Sequence, residues 1–330
     1  MIVDSHVHLF PPQWQPKGRM PPDLFDVPRQ LERMEEGGLT TSIVSDPHIW
    51  YGDLDTGDIE QVRAYNDFVA DLARQHPGTF AGLATAVPWR GPEHLDEARR
   101  ATEELGLAGF ALPTSDQNRY LDSVPAGFWD YVSSIGAPLF VHPGGQTVGQ
   151  DLMGIYRMGE VCGRPLDMTV TLARFILTGT YEQFPQLRLL CAHAGGAITT
   201  IADRLDFGHE LRNYAPLGPW GEVELAEPPS SHVKKLFLDT VTFGSRPLRM
   251  ALETVGSDHV CFGTDCPPVP WTVERHLAVV DELGLVDEQR ADVLGRNAER
   301  LFRRPSGTGS QTCGIGSQTC GIGSQTCGLR

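Results

Sequence analysis

No apolar run in this sequence approaches the roughly 20 residues that a membrane-spanning helix needs, and the N-terminal one is broken at once by Asp4, Ser5 and His6. The expectation is a soluble, cytoplasmic protein with no signal peptide and no membrane partner. Positive charge is also in deficit: the formal net charge is −15, which argues against nucleic acid or an anionic lipid surface as a partner. Among the seven cysteines, the four outside the C-terminal tail, Cys162, Cys191, Cys261 and Cys266, show no Cys-x-x-Cys spacing. A reducing compartment is their simplest home, and Cys191 and Cys266 are expected to pack as small hydrophobes rather than to react. No Gly-x-Gly-x-x-Gly follows the first strand-like stretch, which removes the simplest dinucleotide-binding fold.

What the sequence does contain is organised around its first eight residues. An apolar stretch ends in His6 and His8, and in an extended strand alternate side chains share a face, so both imidazoles can aim at one point. Three later stretches have the same build. Pro138-Leu-Phe-Val-His142 runs into Pro143-Gly-Gly, Leu187–His193 into Ala194-Gly-Gly, and His259–Asp265 into Cys266-Pro-Pro. If these are neighbouring parallel strands of one barrel, His6, His8, His142, His193 and Asp265 converge at its C-terminal mouth. A single strand-end histidine is more often a satisfied structural group; five such groups in parallel positions indicate a metal site.

Strand-like and helix-like stretches alternate along the chain, which is the pattern of parallel β/α units. The strands are expected at 2–8, 40–45, 79–87, 107–112, 138–142, 187–193, 235–241 and 259–265. Helices are expected near 28–36, 58–75, 93–105, after Pro125, from about Met168, after Gly196, and over 272–283 and 287–302. Eight strands with a helix after each predict an α/β fold, a single TIM-type (β/α)8 barrel with loop insertions at its C-terminal face, the longest insertion running from Gly144 to about Pro165. The barrel is assigned residues 1–304. Residues 305–330 carry a Gly-Ser-Gln-Thr-Cys-Gly repeat with too little apolar content to bury a core, and are read as a disordered tail.

Three imidazoles and a carboxylate suit one divalent ion, Zn²⁺ first and Mn²⁺ second, with an open position for water. Such an ion lowers the pKa of its water toward about 7, and a neighbouring base is still needed to move protons. Four ligands, His6, His8, His142 and Asp265, leave His193 for acid/base work, although residue types alone also allow His193 as ligand and Asp265 as base. The only lysines are Lys17, Lys234 and Lys235. None ends the fourth strand, where a carboxylated lysine would bridge two metals, so a single ion is expected.

The motifs Asp4-Ser-His-Val-His8, Phe140-Val-His-Pro143, Phe184–Gly196, Gly263-Thr-Asp-Cys-Pro267 and Gly295–Phe302 recur in the order and spacing of the amidohydrolase superfamily. The chain most resembles the branch typified by aminocarboxymuconate-semialdehyde decarboxylase and the related aromatic-acid decarboxylases, from its first residues to about Phe302. The resemblance implies a barrel with one divalent metal held by His6, His8, His142 and Asp265, with His193 activating the metal's water. It also implies a substrate-carboxylate arginine eleven residues after the catalytic histidine, reached across a homodimer interface. Arg204 stands there, flanked by Asp203 and Asp206.

Departures from the pattern limit what is carried over. The loop after the first strand is short and aligns no second arginine, although Arg19 lies in it. The residue after His142-Pro143 is Gly144 where relatives carry an aromatic, and Val241–Ser245 lacks their His-Asp pair. The expected reaction is non-oxidative decarboxylation of a planar carboxylated aromatic or unsaturated acid, using metal-bound water and His193, with Asp265 as its partner and Arg204 orienting the substrate. The alternative is hydrolysis of a lactone, amide or ester, or hydration, at the same site. Trp14, Trp50, Tyr51, Phe243 and Trp271 are expected in loops at the reactive end, with Trp50 and Phe243 the first choices for a flat substrate wall.

Overall fold

The computed structural model describes residues 1–303 except 16–19, 47–49, 52–53, 146, 218–219 and 222, and describes only the backbone of Trp50, Tyr51, Leu54 and Leu217. The Trp50 contribution to a substrate wall, Arg19 and the tail assigned to 305–330 therefore lie outside the described residues. Eight parallel strands form one sheet in chain order: β1 Val3–Val7, β2 Thr41–Val44, β3 Phe80–Thr85, β4 Gly109–Pro113, β5 Pro138–His142, β6 Arg188–Cys191, β7 Phe237–Asp239 and β8 Val260–Cys261. The last strand returns to the first. Ser5 N–H donates to the Phe262 carbonyl at 2.9 Å, Asp265 N–H to His6 at 2.9 Å, and His8 N–H to Cys266 at 2.8 Å. These bonds close the sheet into a (β/α)8 barrel.

Alternation along each strand separates two cores. On β5, Phe140 faces the barrel interior with Ile43, Leu83, Ala111 and Leu190, while Leu139 and Val141 face the helices. The interior is closed below by the C-terminal helix Asn297–Phe302, whose Leu301 and Phe302 join that inner cluster. Gly295, just before it, lies so close to the Met1 carbonyl that a Cβ there would be 3.0 Å away.

The helices α1 Val27–Gly37, α2 Ile59–Gln75, α3 Pro92–Glu103, α4 Ala126–Ile135 and α5 Arg164–Leu177 pack outside, followed by Ile198–Glu210, Ser245–Val255 and Val273–Asp281. Their ends follow local chemistry. Asp58 accepts a bond from Glu60 N–H and caps α2, and Gly136 takes φ +60 after α4, a conformation glycine adopts without steric cost. None of the described helices is long and apolar enough to cross a membrane.

Two expectations are corrected. The sixth and eighth strands were expected to run to His193 and Asp265, but they end at Cys191 and Cys261. His193 and Asp265 lie beyond them with φ +52 and +56. Left-handed turns there swing both side chains over the mouth, at a cost of about 1–3 kcal/mol for each non-glycine residue. The second correction concerns the insertion 144–165, which is partly helical. A π-helical turn, Gly159–Gly163, runs directly into α5, which starts at Arg164 rather than near Met168. Buried Asp167 ties this segment to the barrel, accepting bonds from Val148 N–H at 2.9 Å and from the Thr114 hydroxyl at the end of β4.

Candidate metal centre and catalytic pocket

The cluster at the mouth of the barrel is assembled by the ends of three strands. His6 and His8 come from β1 and the residue after it, His142 ends β5, and Asp265 follows β8. Each imidazole is held through Nδ1: His6 by Asp239 Oδ2 at 2.6 Å, His8 by the Ser45 carbonyl at 3.0 Å, and His142 by the Pro143 carbonyl at 2.8 Å. A carbonyl or carboxylate acceptor at Nδ1 places the proton there and leaves the Nε2 lone pair free for a cation.

Those lone pairs face one another. His6 Nε2 and His8 Nε2 are 3.1 Å apart, and Asp265 Oδ1 lies 3.4 and 3.3 Å from them. Donor atoms of His6, His8, His142 and Asp265 all fall within 4.8 Å of one another. Ligands bonded at about 2.0–2.2 Å to a shared ion stand about 3.0–3.6 Å apart. His142 Nε2 and Asp265 Oδ1 are buried and, among the described residues, have no hydrogen-bond partner. An unpartnered buried nitrogen and oxygen in a nest of acceptors fit a divalent cation and little else.

The electrostatics agree. Burial alone would raise the Asp265 carboxyl, but the charge on His6 and the close contacts of His193, His6 and His8 outweigh it and hold it well below the usual carboxylate range. Burial, with the charges of His6, His8 and His193, pushes His142 far below the ordinary imidazole value and keeps it neutral. Burial works against the charged form of His6 too, yet Asp265 and Asp239 outweigh it and raise His6 to about 10. A metal binding here would therefore have to displace a proton from His6, and that competition would weaken as pH rises toward 10. Metal titration at pH 7 is expected to release about one proton per ion. Calorimetry in buffers of different ionisation enthalpy measures it, and zero release would contradict this arrangement.

His193 differs from the other three histidines. It is partly exposed and lines a cavity of about 720 Å³, with its Nε2 3.3 Å from Asp265 Oδ2. Asp265 thus faces the histidine pair with one oxygen and His193 with the other. Phe243 and Trp271 meet edge to face at 5.3 Å in the cavity wall. Trp14 does not belong to that wall: it packs on Phe10 and Tyr65, where it is sheltered from water in the outer core. Arg204 is exposed on the Ile198–Glu210 helix and is not part of the lining of this chain's cavity. Burial raises the Cys191 and Cys266 thiols far above their usual range, which leaves both as packing groups.

Asp239 is the functional residue that sequence reasoning missed. Its Oδ2 holds His6, while Oδ1 accepts from Ala194 N–H at 2.8 Å and Val241 N–H at 3.1 Å. One carboxylate therefore orients the His6 imidazole and the turn that carries His193. The signal was an aspartate at the end of an apolar strand, the same signal that marked Asp265. Asp239→Asn is expected to weaken metal affinity about 10- to 100-fold, measured by competition with a chromophoric chelator; unchanged affinity would remove this orienting role.

A barrel that gathers three imidazoles and a carboxylate at its C-terminal rim, beside a largely buried histidine that still reaches the cavity, has the architecture of a metal-dependent enzyme. The chain belongs to the amidohydrolase family, whose model matches residues 3–304. It is 26% identical over 222 residues to the 2-amino-3-carboxymuconate-6-semialdehyde decarboxylase of Dictyostelium discoideum, a match covering 66% of this chain and 59% of that one. It is 27% identical over 312 residues to the gamma-resorcylate decarboxylase of Rhodococcus jostii strain RHA1, covering 85% and 88%. The crystal structure of 5-carboxyvanillate decarboxylase from Sphingomonas paucimobilis shares the fold with a TM-score of 0.79, at 21% identity, covering 92% of this chain and 99% of that one.

Proposed function

We propose that this protein is a metal-dependent non-oxidative decarboxylase, a carbon–carbon lyase acting on a planar carboxylated aromatic or unsaturated acid. The observation that carries the reading is the position of the His193–Asp265 pair, in contact at 3.3 Å between the buried donor cluster and a cavity lined by the aromatic pair Phe243 and Trp271. The named decarboxylases of this family point the same way. His6, His8, His142 and Asp265 are the proposed ligands, with Zn²⁺ the first choice and Mn²⁺ the second. When bound, the ion supplies Lewis acidity that polarises a coordinated oxygen of the substrate or of water.

The chain's own residues then have three tasks. Phe243 and Trp271 supply apolar contact to the substrate ring. His193, partnered by Asp265, delivers a proton to the ring carbon that bears the carboxylate. The bond from that carbon to the carboxylate breaks, CO₂ leaves, and the electron pair of the broken bond returns to the ring; solvent then restores the proton to His193 through the open cavity. One proton enters and one CO₂ departs per cycle.

The proposed functional unit is a cytoplasmic homodimer in which Arg204 reaches the cavity of the neighbouring copy. Phe207 and Tyr214, both exposed on the same stretch of chain, supply apolar surface for that contact. The catalytic unit is residues 1–304, and 305–330 take no part in the chemistry. The test is product analysis. Metal-loaded protein is expected to release CO₂ from one or more hydroxylated aromatic acids and to leave lactones intact. Ring opening of lactones without CO₂ release from any acid would replace this reading with a hydrolase.

A further inference from the structure

Trp271 lines the cavity, while three residues that touch it, Arg33, Arg275 and His276, are not among the cavity's lining. They back the indole from outside the pocket. The buried His276 ring lies 5.3 Å from it, centre to centre, and the Arg275 guanidinium sits 3.7 Å from its ring centroid.

The stretch around Trp271 is a helix start. Thr272 caps the Val273–Asp281 helix, its hydroxyl accepting from Arg275 N–H at 3.3 Å. Trp271 is therefore the residue before the cap and His276 the fourth helical residue, the two positions that pack together in a hydrophobic staple. The third helical position is the anomaly. After a threonine cap, a glutamate or glutamine there reaches back to the cap's own N–H, and the helix dipole disfavours a cation in the first turn. This chain places Arg275 there. It is exposed, joins no ion pair among the described residues, and lies over the Trp271 ring instead.

The backbone beneath the indole is pinned separately. Arg33 of α1 donates from Nη2 to the Trp271 carbonyl. The last residue of α1, Gly37, lies so close to Val273 that a Cβ there would be 2.5 Å from the valine Cβ. With the backbone held, the side-chain torsions of Trp271 are the freedom left, and they decide where the indole meets a ligand. Building on the decarboxylase reading, we propose that Arg275 is a positioning residue: stacked behind Trp271, it holds the indole against the cavity and sets substrate affinity without touching the substrate. A cation over an aromatic face is an electrostatic contact that a neutral side chain does not reproduce. The same arginine that weakens the helix start thus fixes the wall of the pocket.

The test separates those two effects in the full-length protein. Arg275→Gln restores the capping pair with Thr272 and removes the cation, so it is expected to melt no lower than wild type while losing its hold on the indole. In protein labelled with 5-fluorotryptophan, the fluorine resonance that disappears in Trp271→Leu reports the ring. That resonance is expected to shift and broaden in Arg275→Gln and to stay near its wild-type position in Arg275→Lys, which keeps a cation. With metal-loaded protein and salicylate as probe, Arg275→Gln is expected to raise KM and the calorimetric Kd about 3- to 10-fold, with kcat within about two-fold. In the Trp271→Leu background the same substitution is expected to change neither, since the cycle removes the partner through which Arg275 acts. A Trp271 resonance unmoved by Arg275→Gln would overturn the proposal. So would an equal loss of salicylate affinity with and without the indole, which would make Arg275 a distant charge acting on the acid itself, or a melting temperature that falls along with affinity, which would make the stack merely structural. If wild type neither binds salicylate nor releases CO₂ from it, the decarboxylase reading is in difficulty, and the fluorine resonance still decides whether Arg275 holds the ring.

Discussion

His193→Asn is expected to lower kcat about 10²- to 10⁴-fold, the usual contribution of a positioned acid or base, while the metal stays bound. The reason is positional. The Nε2 of His193 stands 3.3 Å from Asp265 Oδ2, whereas His6 and His8 contact Oδ1, and the ring, though packed on His142 at 5.1 Å, reaches the cavity and is not among the four residues whose donor atoms converge. Asparagine keeps a polar group of similar reach but cannot carry a proton at neutral pH. Metal content by mass spectrometry, measured beside kcat, separates the two roles the sequence left open. A variant that loses its metal makes His193 a ligand and shifts the proton chemistry to Asp265.

His142→Ala is expected to act in the opposite way, removing the metal and with it all turnover above background. His142 is buried, its Nδ1 is already satisfied by the Pro143 carbonyl, and its Nε2 has no protein partner among the described residues. An ion that binds only the folded state stabilises it by about 4 kcal/mol when its free concentration is about a thousand times Kd. The wild-type melting temperature is therefore expected to rise with added Zn²⁺ or Mn²⁺ and that of His142→Ala to stay flat. A variant that melts higher with metal, as wild type does, would show that the imidazole is not a ligand.

The barrel and the convergence of His6, His8, His142 and Asp265 were legible because both leave local marks. Apolar runs ending in His142 or near Asp265 are readable one at a time, and β/α alternation is readable without long-range information. Asp239 was not legible, because its role depends on reaching His6, 233 positions away, at 2.6 Å. Ser45 holds His8 through a backbone carbonyl, a group that every residue owns and no motif can flag. The ends of the sixth and eighth strands were misjudged since apolar content continues to Ala192 and Phe262, while the left-handed turns at His193 and Asp265 are set by what they must face. Trp14 reads as a loop aromatic until the contact with Tyr65 shows it in the outer core.

The central claim is that one divalent ion sits among side chains drawn from both ends of the chain. Anomalous diffraction at the metal absorption edge, on crystals of the metal-loaded protein, tests it most directly. The account expects one peak, with bonds of about 2.0–2.2 Å to His6, His8, His142 and Asp265 and none to His193. Two peaks, or a single peak bound elsewhere, would contradict it.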